Sequence, residues 1–115
     1  MKYRQERIAS LIKEEISKLI VREIEFPESL VTITDVEIDN KLNRAIISFS
    51  VLPSEKSETA LKILGKNRSH LQYLLLRKIN IKPMPQIVFK IDYGLEKAAK
   101  IEKLLLEDKI KENAD

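Results

Sequence analysis

The stretch VTITDVEIDNKLNRAIISFSVL, residues 31–52, decides the fold. Its second half places Ala45, Ile47, Phe49 and Val51 on one face with Ser48 and Ser50 between them, the period-two alternation of a half-buried strand. The first half is rich in β-branched residues and also alternates, but its apolar phase slips between Ile33 and Val36. Either Thr34 turns inward or a bulge sits there. Asn40, Lys41, Leu42 and Asn43 supply turn chemistry between the two halves, so the stretch reads as an antiparallel hairpin.

Helical periodicity flanks the hairpin on both sides. Upstream, Ile8, Leu11, Ile12, Ile16, Leu19, Ile20 and Ile24 recur at three- and four-residue spacing and predict one amphipathic helix over about residues 3–24. Phe26 and Pro27 end it, because proline biases its predecessor toward extended backbone and cannot donate to the helical ladder. Downstream, Pro53 and Ser54 close the hairpin and Ser57 is the expected N-cap of a second helix, with Glu58 in its first turn. Two apolar ladders follow, Ala60, Leu61 and Leu64, then Leu71, Leu74, Leu75 and Ile79. Gly65 lies between them, which predicts two short helices meeting at a kink, since glycine inside a helix costs about 1 kcal/mol relative to alanine.

Residues 82–85 (Lys-Pro-Met-Pro) read as a rigid extended connector, and residues 86–93 as a third strand with Ile87, Phe89 and Ile91 facing one way. After Gly94, the residues Ala98, Ile101, Leu104 and Leu105 predict a C-terminal helix, and residues 109–115 a polar tail expected to be disordered. The expectation is a single α+β domain over residues 1–108, a three-stranded sheet with helices on one face. The strand order is left open; the last strand beside the first is one arrangement.

With 115 residues the chain is long enough to bury roughly two-thirds of its unfolded surface without metals or disulfides. It has no cysteine, which excludes a disulfide framework, a thiol nucleophile and a cysteine zinc site, and fits a cytoplasmic setting. Its one histidine, His70, lacks the partners of a metal site or triad and reads as a surface residue. No apolar run reaches the ~20 residues of a membrane span. Asp35, Asp39 and Asp92 could gather at a sheet end as the magnesium site of a small nuclease, although strand-end aspartates commonly make turns. No phosphate loop, dinucleotide fingerprint or nucleophile elbow is present, so no cofactor is expected and an enzyme is disfavoured.

The net charge of +3 conceals a lopsided distribution. Residues 59–91 contain no acid but seven bases, Lys62, Lys66, Arg68, Arg77, Lys78, Lys82 and Lys90; the rest of the chain holds 14 bases against 18 acids. On a helical wheel Lys66, Ser69, His70, Tyr73 and Arg77 oppose the core leucines, with Arg68 on the flank and Leu76 also outward. Lysines and arginines there can neutralise phosphates, Asn67 and Ser69 can donate to them, and Tyr73 offers a face for an unpaired base. Gly65 would let a sugar-phosphate backbone approach closely. A solvated basic surface of no further meaning is the bland alternative. The expected RNA-binding set is therefore Lys62, Gly65, Lys66, Asn67, Arg68, Ser69, Tyr73, Arg77, Lys78 and Lys82.

The order of elements, with VTITDVEID, RAIISFSV, ILGKNRSHL, PQIVFKID and LEKAAKIEKLL, resembles the ribosome-binding factor A family over about residues 3–106. That resemblance implies a type II KH-like fold in which a helix-kink-helix carries an Ala-x-Gly signature. Gly65 fits the glycine, and Arg68 with Ser69 fits the arginine-serine pair that often follows, while Ile63 stands where alanine is expected. Phe26, Pro27 and Glu28 replace the family's frequent Asp-Pro-Arg. The resemblance further implies a cytoplasmic, non-catalytic factor in ribosome biogenesis. It would bind the immature 30S subunit and its 16S rRNA, assist late maturation and rRNA processing at the 5′ end, and serve in cold adaptation. Separately, the free chain is expected to be a monomer. The alternative reading is a protein-interaction module whose basic face meets an acidic protein partner.

Overall fold

The computed structural model describes residues 2–94 apart from 40 and 42. The order is α1 (Lys2–Glu23), β1 (Leu30–Ile38), β2 (Arg44–Leu52), a 3-10 turn (Ser54–Lys56), α2 (Ser57–Lys78) and β3 (Gln86–Ile91). The expected C-terminal helix over 98–105, the domain boundary at 108 and the tail 109–115 lie outside the described residues.

The sheet has the order β1-β2-β3, with β2 antiparallel to β1 and parallel to β3. The last strand thus lies beside β2, not β1. A parallel partner requires a crossover, and α2 supplies it. The register shifts between Ile33 and Asp35, which settles the slipped phase as a bulge at Thr34. The bulge keeps Ile33 and Val36 both buried and directs the Thr34 hydroxyl to Asp92 Oδ2 at 2.7 Å.

Both helices cover one face. Ile8, Ile12, Ile16, Leu19 and Ile20 from α1 and Ala60, Leu64, Leu71 and Leu75 from α2 meet Ile33, Val36, Ala45, Ile47, Phe49, Val51 and Ile87 in one cluster. Phe49 and Phe89 pack edge to face across the parallel pair, with ring centroids 6.3 Å apart. By alternation, Ile46, Ser48 and Ser50 of β2 and Val88 and Lys90 of β3 occupy the opposite face.

Three local expectations are corrected. First, no two helices meet at Gly65; α2 runs through it as one helix of 22 residues. Ala60, Leu64, Leu71 and Leu75 stay in helical register across the glycine and are all buried. Burying one such leucine contributes roughly 1.5–3 kcal/mol, which outweighs the ~1 kcal/mol cost of a mid-helix glycine. Second, Ser57 is not the N-cap: the preceding 3-10 turn places Lys56 there, and Ser57 is the first helical residue and buried. Third, the connector expected to be extended bends at Lys82 and Pro83, and β3 ends at Ile91.

Candidate nucleic-acid interface

The inward registration of α2 dictates what its outer side presents. Lys62, Gly65, Lys66, Ser69, Tyr73 and Arg77 are exposed along one ridge, while Asn67 and Arg68, on its two flanks, are half-buried. From Lys62 to Arg77 the ridge is about 22 Å long. Lys78 and Lys82 lie beyond it, at the helix end and in the following loop. His70 and Leu76 are exposed as well. Lys90, the seventh base of the acid-free segment, lies on the opposite face of the sheet, opposite Ser48 of β2. The segment that is continuous in sequence is thus a ridge of cations on α2 and one lysine elsewhere.

Several ridge residues have local partners. The Asn67 amide donates to the Ile63 carbonyl at 2.8 Å, so one of its donors is already engaged. The Arg77 guanidinium lies over the Tyr73 ring, 5.8 Å from its centroid, a cation–π arrangement that orients both side chains. Among the described residues, no carboxylate lies within 4.0 Å of a lysine or arginine of α2. A Cβ added at Gly65 would meet nothing within 4 Å, so the ridge is open at that point.

The aspartates are committed to structure. The Asp39 carboxylate accepts from the backbone N–H groups of Asn43 and Arg44, closing the hairpin loop. Asp92 accepts from the Thr34 hydroxyl and, at 2.8 Å, from the Gly94 N–H. Those two bonds, Thr34 first, hold its carboxyl below the ordinary range, with Lys90 assisting. Gly94 takes the left-handed conformation there, with φ 56°. Asp35 sits on β1, directly after the bulge. Among the described residues no three His, Cys, Asp or Glu side chains are grouped to hold a metal, and no helix is long and apolar enough to cross a membrane.

Two features were invisible to pattern reading. Gln72 faces β3, where its amide donates to the Pro85 carbonyl at 2.9 Å and accepts from the Ile87 N–H at 2.8 Å. A glutamine one position from a core leucine gives no signal of this in sequence. Arg22, in the last turn of α1, lines a cleft of about 270 Å³ together with Leu74, Arg77 and Lys78 of α2. It comes from outside the acid-free segment, so counting charge along the chain could not find it.

A helix-strand-strand-helix-strand domain with both helices on one sheet face is a KH-like α+β fold. Solved structures agree: ribosome-binding factor A from Thermus thermophilus superimposes with a TM-score of 0.66 over 76% of this chain and 94% of that one, at 18% identity. Coordinates of the Thermus thermophilus factor fitted into a cryo-EM map of a 30S complex give 0.63, over 71% and 88%, at 19% identity. The model of the ribosome-binding factor A family matches residues 4–105. A relative from Caldanaerobacter subterraneus subsp. tengcongensis, itself a ribosome-binding factor A, is 35% identical over 93% of this chain and 90% of its own length. The chain belongs to the ribosome-binding factor A family.

Proposed function

We propose that this protein is a non-catalytic assembly factor that binds the immature 30S subunit through its 16S rRNA, in the cytoplasm and as a monomer when free. The observation that carries the reading is the outward row Lys62, Lys66 and Arg77, with Arg68 on its flank, in a chain of this family and without a carboxylate partner among the described residues. The fit of the Thermus thermophilus relative into a map of a 30S complex supports the same partner. Unpaired cations on a rigid helix suit phosphates, which need charge at fixed spacing and no bond chemistry. The factor would hold an rRNA conformation until the 5′ end is processed, a population shift that matters most in the cold.

Co-sedimentation of the full chain with purified 30S and 50S subunits across a salt series tests this. Binding confined to 30S, with log K falling against log salt at a slope of roughly −3.5 to −4.5 for about five phosphates, is expected. Salt-insensitive binding, or tighter capture by an acidic polypeptide than by 30S subunits, contradicts it.

A further inference from the structure

The cleft between the C-terminal turns of α1 and α2 shares only Arg77 with the row of cations described above. Among the described residues it is lined by Arg22 from α1 and by Leu74, Arg77 and Lys78 from α2. Three cations around one small cleft repel one another. Each helix C-terminus carries about half a negative charge, which accounts for part of the basic content. The Glu23 carboxylate lies 3.2 Å from Arg22 Nε, and neither Arg77 nor Lys78 has a carboxylate within 4.0 Å among the described residues. A volume of about 270 Å³ lies below the usual range of small-molecule sites, roughly 300–1,000 Å³. It suits a single phosphodiester and part of its sugar. Beside it, Tyr73 is 55% exposed and is held by Arg77, so an aromatic face stands next to the phosphate seat.

We infer that this cleft binds one phosphate of single-stranded RNA between Arg22 and the Arg77–Lys78 pair, while the neighbouring base stacks on Tyr73. The inference rests on the RNA-binding reading and adds to it a site built from both helices. A stacking surface beside a cationic seat favours single-stranded nucleic acid over an acidic peptide, which has no flat ring to stack, and over duplex RNA, whose bases are covered.

The test uses the full chain, a short oligouridylate, an abasic sugar-phosphate oligomer of the same length and polyglutamate, each titrated across a salt series. Arg22→Ala should lower the salt slope for oligouridylate by about 0.7, one phosphate contact on a single strand, and Arg22→Lys should keep it. Tyr73→Ala should weaken oligouridylate binding by about fivefold or more, Tyr73→Phe should not, and neither should change binding of the abasic oligomer. An unchanged slope in Arg22→Ala, or polyglutamate bound as tightly and with the same dependence on Arg22, overturns the inference. If the wild-type chain binds 30S subunits but not oligouridylate, this site is wrong and the assembly-factor reading stands. If it binds neither, both fall.

Discussion

Helices α1 and α2 are both 22 residues long, lie on the same face of the sheet and contribute fully buried aliphatic side chains to one core. Their outer sides differ. On α1, Lys18 reaches Glu14 at 3.4 Å and Glu15 at 3.8 Å, and Arg22 reaches Glu23 at 3.2 Å, so charges of both signs interleave and partly neutralise one another. On α2 the only acid is Glu58 in the first turn, and the lysines and arginines beyond it stand without carboxylate partners among the described residues. Equal duty inside thus goes with surface charges of both signs along α1 and, beyond Glu58, of one sign along α2.

The interior half of this comparison carries the largest effects. Ile16→Ala and Leu71→Ala remove side chains with no exposed surface and should each cost about 2–5 kcal/mol in chemical denaturation. A loss under about 1 kcal/mol for either would mean that the two helices do not share the core equally. Next come the glutamines that tie each helix to the rest of the fold. Gln72→Ala strands the Ile87 N–H and the Pro85 carbonyl and should cost about 1–3 kcal/mol, whereas Gln5→Ala loses a single bond to the Asp39 carbonyl and should cost about 1 kcal/mol.

Thr34 and Asp92 join the bulge of β1 to the residue that follows β3. The Asp92 carboxyl is held below its ordinary 3.8, so its ionised form stabilises the folded state above that pH, and the contribution is lost as pH falls through the lower folded value. Asp92→Asn should therefore destabilise the fold at neutral pH, modestly because the group is partly exposed, and should cost less at acid pH, as the carboxyl takes up its proton in the folded state. Thermal melts at both pH values check this; an equal cost at both would remove the charge from the explanation. The smallest effect has the opposite sign. Gly65→Ala should stabilise α2 by up to about 1 kcal/mol, since the added methyl meets nothing within 4 Å and the helix is regular there. If the glycine serves close approach of RNA, the same variant should bind 30S subunits more weakly. Tighter or equal binding would reduce Gly65 to a bystander.

What the sequence disclosed follows from how far each cause acts. The hairpin, the first helix and the two apolar ladders of the second were legible because side-chain period is a local property, and the slip between Ile33 and Val36 left the bulge as one of two readings until the register decided it. The supposed break at Gly65 misled because a local propensity of about 1 kcal/mol was weighed without the burial of Leu64 and Leu71 on either side. Ser57 has the chemistry of an N-cap, but a 3-10 turn ahead of it shifted the helix start. The pairing of β3 with β2, the grip of Gln72 on Pro85 and Ile87, and the meeting of Arg22 with Arg77 join residues from separate elements. No periodicity encodes them. The outward ridge was legible from the charge gap, while the separation of Lys90 onto the other sheet face required the register.

The central claim is that the cations of α2, where no acid follows Glu58, account for binding to the ribosomal subunit, and net charge does not. Matched reversals test it: Lys66→Glu with Arg68→Glu on α2, against Lys13→Glu with Arg7→Glu on α1, which change the charge of the chain equally. Co-sedimentation with 30S subunits at ~0.1 M salt should weaken by about 25- to 60-fold for the α2 pair, which would leave two phosphates without a cation, and by less than about twofold for the α1 pair. Equal weakening by both pairs, or none by the α2 pair, would contradict the account.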